Sequence, residues 1–264
     1  MASSRTSMRL KSRFCIANGP RPVVRLVLQQ RPNHRQSLDL DWLTGQTIAD
    51  PLELAKDIIE VIDALGIKDF FLVGHDWGGI VAQELTLLVP QRVKKLALMN
   101  IPVITNAKGE KEALQALAAM RFLPMWYQYF QQQPGLAEGM IKGNEDVWVR
   151  YFFGRKGKDG TIPAEAITEY VRCYKIENTP ATAASYYRAM RLDAPHWAEL
   201  AGRKFTMPAL YLYGEEEIVI VKENLNHLED CFNAIRVERL KAGHFIQEEK
   251  PREVAALLND FFRG

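Results

Sequence analysis

No part of this 264-residue sequence approaches the roughly 18 consecutive apolar residues that a membrane span requires. Nor does it carry a basic face suited to nucleic acid. Residues 1–38 hold eight Lys/Arg and no acid, which leaves 26 bases against 32 acids in the rest, a mildly acidic body. Cysteine is scarce. Cys15, Cys173 and Cys231 are odd in number and lack metal-ligand spacing, so they read as reduced thiols in a cytosolic-type compartment, with no structural metal expected. Internal repeats, low-complexity tracts and a secretory apolar region are also missing. The opening MASSRTSMRLKSR is Ser- and Arg-rich and free of acid, the composition of an organellar transit peptide. The plainer reading is a frayed basic terminus, and the expected location is cytoplasmic.

The sequence does have enough apolar residues, 47%, for one large core. FFLVG (70–74), LALMN (96–100) and ALYLYG (209–214) are short apolar runs of the kind that form buried parallel strands, and AIRVERL (234–240) reads as a last strand. PLELAKDIIEVIDALGI precedes the first of these runs with helical spacing and a stop at Gly66, and GGIVAQELTLLV follows it as a second helix. Alternating strands and helices predict a parallel sheet covered on both faces. After Pro102 the alternation stops. EKEALQALAAM, EDVWVRYFF, AEAITEYVRCY and PATAASYYRAM are helical segments without an intervening strand, so residues 103–195 read as an inserted lid. The α/β core is expected over 1–102 and 196–264, closed by the amphipathic REVAALLNDFF, with 1–34 atypical.

In LVGHDWGG a strand runs into a sharp turn and then a helix, with Asp76 at the apex and Gly74 and Gly78 two residues to either side. Such a turn strains its central residue and brings backbone close, which explains the small neighbours. This is the layout of a nucleophile elbow with aspartate in place of serine. The helix start beneath it favours negative charge and supplies N–H groups, that of Trp77 among them. Aspartate is also a common helix N-cap, a purely structural alternative. His244, in KAGHFIQEEKP, follows the last strand and sits on the same sheet edge, and Glu217, in YGEEEIVI, is placed to orient an imidazole. Glu215 and Glu216 read as a solvated turn. The order is nucleophile, acid, base.

GHDWGG, YGEEE and AGHF together resemble the α/β-hydrolase superfamily, in the branch of epoxide hydrolases and haloalkane dehalogenases, from about residue 35 onward. RPNHRQS (31–37) stands where the family has R-G-x-G-x-S, without its glycines. The family's acid is usually aspartate, and the alternative acid position of some relatives holds Asn100 here. The H-G-x-P turn that supplies a second oxyanion donor is not found; NGPRP (18–22) stands nearest and lies too close to RPNHRQS for the usual intervening strand and helix. The first strands of the sheet are accordingly expected to be shortened.

Aspartate, with a reference pKa of about 3.9, is ionised at neutral pH and can attack saturated carbon without a base. The resemblance implies an alkyl ester on Asp76, hydrolysed by water that His244 activates, and calls for no cofactor. An epoxide also needs an acid for its departing oxygen. SYYRAM resembles the epoxide-hydrolase segment whose ring-opening tyrosine would be Tyr187, and MWYQYFQQQPGLAE resembles the segment carrying the other. Registered from Pro134 that second residue is Tyr127; registered from YF it is Trp126. Tyr129 and Tyr186 read as packing. Trp77 and Trp126 are expected to contact substrate. Haloacetate dehalogenases place arginines just after the nucleophile to pair a substrate carboxylate, and DWGGI has none, so a small uncharged apolar substrate is expected. The expected activity is epoxide opening to a diol. Haloalkane dehalogenation by the same ester is the first alternative, and a catalytically impaired binding protein of the same fold is the second. Oligomeric state is not readable.

Overall fold

The computed structural model describes residues 50–264 throughout and, before them, the backbone of strands β1 (Cys15–Asn18) and β2 (Val24–Gln29). The basic N-terminal stretch, NGPRP beyond Asn18 and RPNHRQS lie outside the described residues. Four further strands are β3 (Phe70–His75), β4 (Val93–Met99), β5 (Ala209–Gly214) and β6 (Ile235–Leu240). The six form one sheet in chain order; β1 is antiparallel to β2 and every later pair is parallel. The mostly parallel α/β sheet expected from the alternating pattern is therefore present.

Strand alternation divides the apolar residues between two layers. Phe70, Leu72, Leu96, Leu98 and Tyr211 point to one core, shared with helices α1 (Pro51–Ala64) and α2 (Trp77–Leu88). Val73, Ala97, Met99, Leu210 and Leu212 point to the other, under the C-terminal helix. β3 and β5, covered on both faces, are buried over almost their whole length, whereas the edge strand β6 (IRVERL) keeps charged, exposed positions. Asp50 starts α1 by accepting from the N–H groups of Leu52 and Glu53, with Pro51 in the first turn. Gly66 ends it in the left-handed region (φ 67°), where Ile67 N–H bonds back to Ile62 O.

Between β4 and β5 lie α3 (Ala107–Ala119), α4 (Trp126–Gln131), α5 (Leu136–Ile141), α6 (Glu145–Lys158), α7 (Ala164–Tyr174) and α8 (Thr179–Glu199). The last continues through Pro195 to Glu199, beyond the end expected for the lid. Glu84, buried on α2, accepts from Trp197 Nε1–H at 2.8 Å and lies 3.1 Å from His196 Nε2, which fastens α8 to α2. At the opposite side Lys156 of α6 meets Glu216 at 2.8 Å and Glu249 at 3.0 Å. The four-residue α9 (Ile246–Glu249) and the 13-residue amphipathic α10 (Pro251–Arg263) follow β6, and Val254 and Phe262 of α10 complete the second core.

Candidate active site

β3 ends at His75, and the chain reverses into α2 through Asp76, whose backbone (φ 51°, ψ −134°) lies outside the regions that L-residues favour. The turn is tight for a reason visible in the glycines. A Cβ on Gly74 would come within 2.6 Å of both Gly78 O and Gly79 Cα, and one on Gly79 within 2.6 Å of Ile101. Asp76 stands at the cap position of α2, yet its side chain makes no capping bond. The carboxylate faces a cavity instead. Trp77 begins α2, and its N–H lies in the first turn, where no intrahelical acceptor exists.

His244 approaches from the loop after β6. Its Nε2 is 3.8 Å from Asp76 Oδ2, and its Nδ1 is 2.5 Å from Glu217 Oε2. Glu217 comes from the turn after β5 and is buried; its second oxygen accepts from Ile218 N–H and Val219 N–H, each at 2.8 Å. The extra methylene relative to aspartate is accommodated because this turn folds back on its own backbone donors. Burial disfavours charge on both partners, and their mutual attraction outweighs it. The His244 imidazole is held well above its ordinary range and Glu217 below its own. Asp76, with its nearby carboxylate, adds to the rise at His244.

The cavity above these groups measures about 630 Å³ and is mostly aromatic, with Trp148, Phe152, Phe153 and Tyr174 of the helices between β4 and β5 among its walls. Tyr127 and Tyr187 both line it, with ring centroids 5.7 Å apart and nearly perpendicular. Burial first, and the charge of Asp76 as well, raise both phenols above their usual range, so each is a proton donor at neutral pH. Trp126 also lines the cavity but is partly exposed, and it donates from Nε1 to Tyr151 OH at 3.1 Å. Trp77 does not appear among the lining residues. It packs behind the tyrosines, 5.4 Å from the Tyr187 ring and 5.3 Å from Tyr186. Tyr186, read from sequence as packing, does reach the cavity wall; Tyr129 does not.

Two residues of the site escaped the sequence reading as participants. His75, next to Asp76, lies 2.9 Å through Nε2 from the carbonyl of His244. Burial and the nearby imidazole push its pKa down to about 4, so it is neutral and acts as the donor. Asn100 bonds the same carbonyl. His75 stood inside the quoted motif, and Asn100 had been noted as the place where some relatives keep an acid. Among the described residues no cluster of His, Cys, Asp and Glu is arranged to hold a metal, and no helix is long and apolar enough to cross a membrane.

Comparison with known proteins bears on the fold and the family. The pattern of the alpha/beta hydrolase fold family matches residues 46–251. Bifunctional epoxide hydrolase 2 of Sus scrofa is 25% identical over 231 residues, which cover 78% of this chain but 41% of that protein. The chain thus spans about two fifths of the length of such relatives. Epoxide hydrolase A of Mycobacterium tuberculosis is 26% identical, with 80% of this chain and 74% of that one aligned. Among solved structures, a protein of Nostoc sp PCC 7120 assigned to the alpha/beta hydrolases is 31% identical with a TM-score of 0.70, covering 81% of this chain and 72% of its own. The chain belongs to the α/β hydrolase fold family and, within it, resembles epoxide hydrolases.

Proposed function

We propose that the protein is an epoxide hydrolase that opens an uncharged apolar epoxide to a diol through an ester on Asp76. The observation that carries this reading is the opposition of two protonated phenols, Tyr127 and Tyr187, to an uncapped carboxylate that shares its cavity with a Glu217–His244 pair. In the first step an Asp76 oxygen attacks an epoxide carbon, the ring C–O bond breaks, and the freed oxygen takes a phenol proton. The side chain of Asp76 makes no capping bond at the start of α2 and stands 3.8 Å from His244, which leaves the carboxylate accessible for that attack.

Formation of the ester removes the negative charge of Asp76, one of the two charges that hold the His244 proton. Alkylation therefore lowers the basicity of the imidazole and favours its neutral form at the stage where a base is needed. Neutral His244 then takes a proton from water as the water oxygen attacks the ester carbonyl carbon, with Glu217 stabilising the imidazolium and Trp77 N–H aimed at the oxyanion. Collapse expels the diol oxygen, which takes the proton back from His244. The second water proton, carried on Asp76, returns to the phenolate.

The register from Pro134 is the one this reading adopts, with Tyr127 rather than Trp126 as partner of Tyr187, since the Tyr127 ring faces Tyr187 and the Trp126 indole is engaged by Tyr151. The position of Trp77 behind the tyrosines weighs against a halide site of the dehalogenase kind.

The decisive experiment is intact-mass analysis of His244→Gln after exposure to a panel of epoxides and haloalkanes. Epoxide opening adds the whole substrate mass, whereas halide displacement adds the mass less HX. Adducts with haloalkanes alone sink the epoxide reading. Absence of any adduct, with an inert wild type, points to a binding protein.

A further inference from the structure

Asn100 ends β4 fully buried and in a left-handed backbone conformation (φ 42°), which asparagine tolerates better than most residues. Its side chain is completely engaged. Oδ1 accepts from Gly214 N–H at 2.9 Å, and Nδ2 donates to the carbonyls of Gly243 and His244, both at 2.9 Å. A single amide therefore joins the end of β5, where the Glu217 turn begins, to the loop that carries His244. The Glu217 turn is itself built from Gly214, since Glu217 N–H bonds Gly214 O at 3.1 Å.

Other bonds between these loops stop short of the imidazole. Glu215 N–H reaches Leu240 O and Glu216 N–H reaches Ala242 O, each at 2.9 Å. Gly243 N–H is taken by the Glu249 carboxylate. The His244 carbonyl is gripped from beneath by Asn100 Nδ2 and by His75 Nε2, at 2.9 Å each. A carboxylate at position 100 would turn acceptors toward two carbonyls, so the geometry demands an amide there. The place that holds the acid in some relatives has here become a donor to the histidine loop.

We propose that Asn100 is a positioning residue for His244: by binding Gly214, Gly243 and His244 together, it sets the approach of the imidazole to Glu217 and so governs hydrolysis of the Asp76 ester. This rests on the ester mechanism proposed above. Attack by Asp76 on substrate does not depend on the orientation of His244, whereas activation of water does. Loss of the amide therefore acts on the second half-reaction. A misplacement of about 1 Å costs on the order of a hundredfold in a positioned proton transfer.

Asn100→Gly removes the side chain while suiting the positive φ, and Asn100→Asp keeps its shape but replaces the donors by acceptors. The first measurement needs no substrate. NMR titration of 15N-histidine-labelled protein follows the His244 ring, whose pKa in Asn100→Gly is expected to fall by a unit or more toward the ordinary histidine value. The second measurement is kinetic. With an epoxide substrate both variants should lose kcat by ten- to a hundredfold, accumulate ester visible by intact mass, and show KM lowered along with kcat. Circular dichroism identifies a variant that has not folded, in which case the other one decides. A folded Asn100→Gly whose His244 titrates as in the wild type overturns the proposal, and so does a folded Asn100→Asp that turns over at the wild-type rate. If His244→Gln traps no ester from any epoxide, it is the hydrolase reading that fails, and the titration still judges the positioning role on its own.

Discussion

The imidazole of His244 and the carboxylate of Glu217 meet at 2.5 Å across 27 residues of sequence, with the carboxylate sealed from solvent on the far side. Two backbone N–H groups hold the other Glu217 oxygen, so the acid cannot swing away from the ring. That arrangement fixes which imidazole nitrogen carries the permanent proton and leaves Nε2 free to face Asp76. It also separates the two halves of the proposed reaction, since only the second half uses the imidazole as a base.

Glu217→Gln should therefore keep the attack by Asp76 and impair release. Turnover is expected to fall by a hundredfold or more, in line with triads that lose the charge of their acid, while the first turnover stays fast and ester accumulates. Rapid-quench mass analysis checks this. A variant that forms no ester at all contradicts the assignment of Glu217 to the second step.

Tyr127→Phe and Tyr187→Phe should show the opposite pattern. Each removes one donor for the departing epoxide oxygen, and general-acid assistance is worth about a hundredfold or more. The expected result is slow ester formation, no accumulated intermediate and a loss no larger than tenfold in either single variant, because the remaining phenol substitutes, with the double loss greater than the two combined. The double variant should be close to inactive. Single-turnover rates measured on all three decide it, and a double variant with wild-type rate excludes both residues.

Stability should fall on both sides of neutrality, for reasons that can be traced to separate histidines. The His244 pKa is raised, so its contribution is complete below its unfolded value of about 6.5 and is lost as pH rises through the raised folded value. His75 is pushed down to about 4 by burial and by the neighbouring imidazole, so the folded state keeps it neutral. Its contribution is present above about 6.5 and disappears as pH falls toward 4, by about 3 kcal/mol. Thermal melts of His75→Gln should show a flatter acid flank between pH 6.5 and 4, and those of His244→Gln a flatter alkaline one. An acid flank unchanged in His75→Gln rejects this account.

Gly74→Ala should be more damaging than Gly79→Ala. The first places a Cβ against backbone at 2.6 Å on two sides, where nothing can move without opening the elbow; the second meets the Ile101 side chain, which can shift. Overpacking of this kind costs about 1–3 kcal/mol. The measurable difference is a lower melting temperature together with lost ester formation in Gly74→Ala, against modest effects in Gly79→Ala. Equal behaviour of the two variants shows that the backbone contact at this turn is not what constrains Asp76.

The strands of the core, the helices between β4 and β5 and the sharp turn at Asp76 were readable because each is written in local pattern. Apolar runs ending in glycine, helical spacing and a G-x-D-x-G turn depend on neighbours within a few residues. The expected last strand was off by one residue, and the lid helix ran past Pro195 to Glu199 because packing of His196 and Trp197 against Glu84 sustains it there. What the local pattern could not convey was the environment of side chains brought in from elsewhere. Tyr186 reads as packing beside Tyr187, and only the turn of α8 against Trp77 puts both on the cavity wall.

By itself the sequence determined an α/β sheet with a helical insertion and an aspartate presented on a strained turn, because strand burial and turn sterics act over short stretches of chain. Tertiary structure alone decided that Glu217 reaches His244, that Tyr127 faces Tyr187 while Trp126 turns to Tyr151, and that Asn100 serves the histidine loop. Those relationships span tens to more than a hundred residues and depend on angstrom-scale distances and directed hydrogen bonds, which exist only once the sheet has brought the ends of β3, β4, β5 and β6 to one edge.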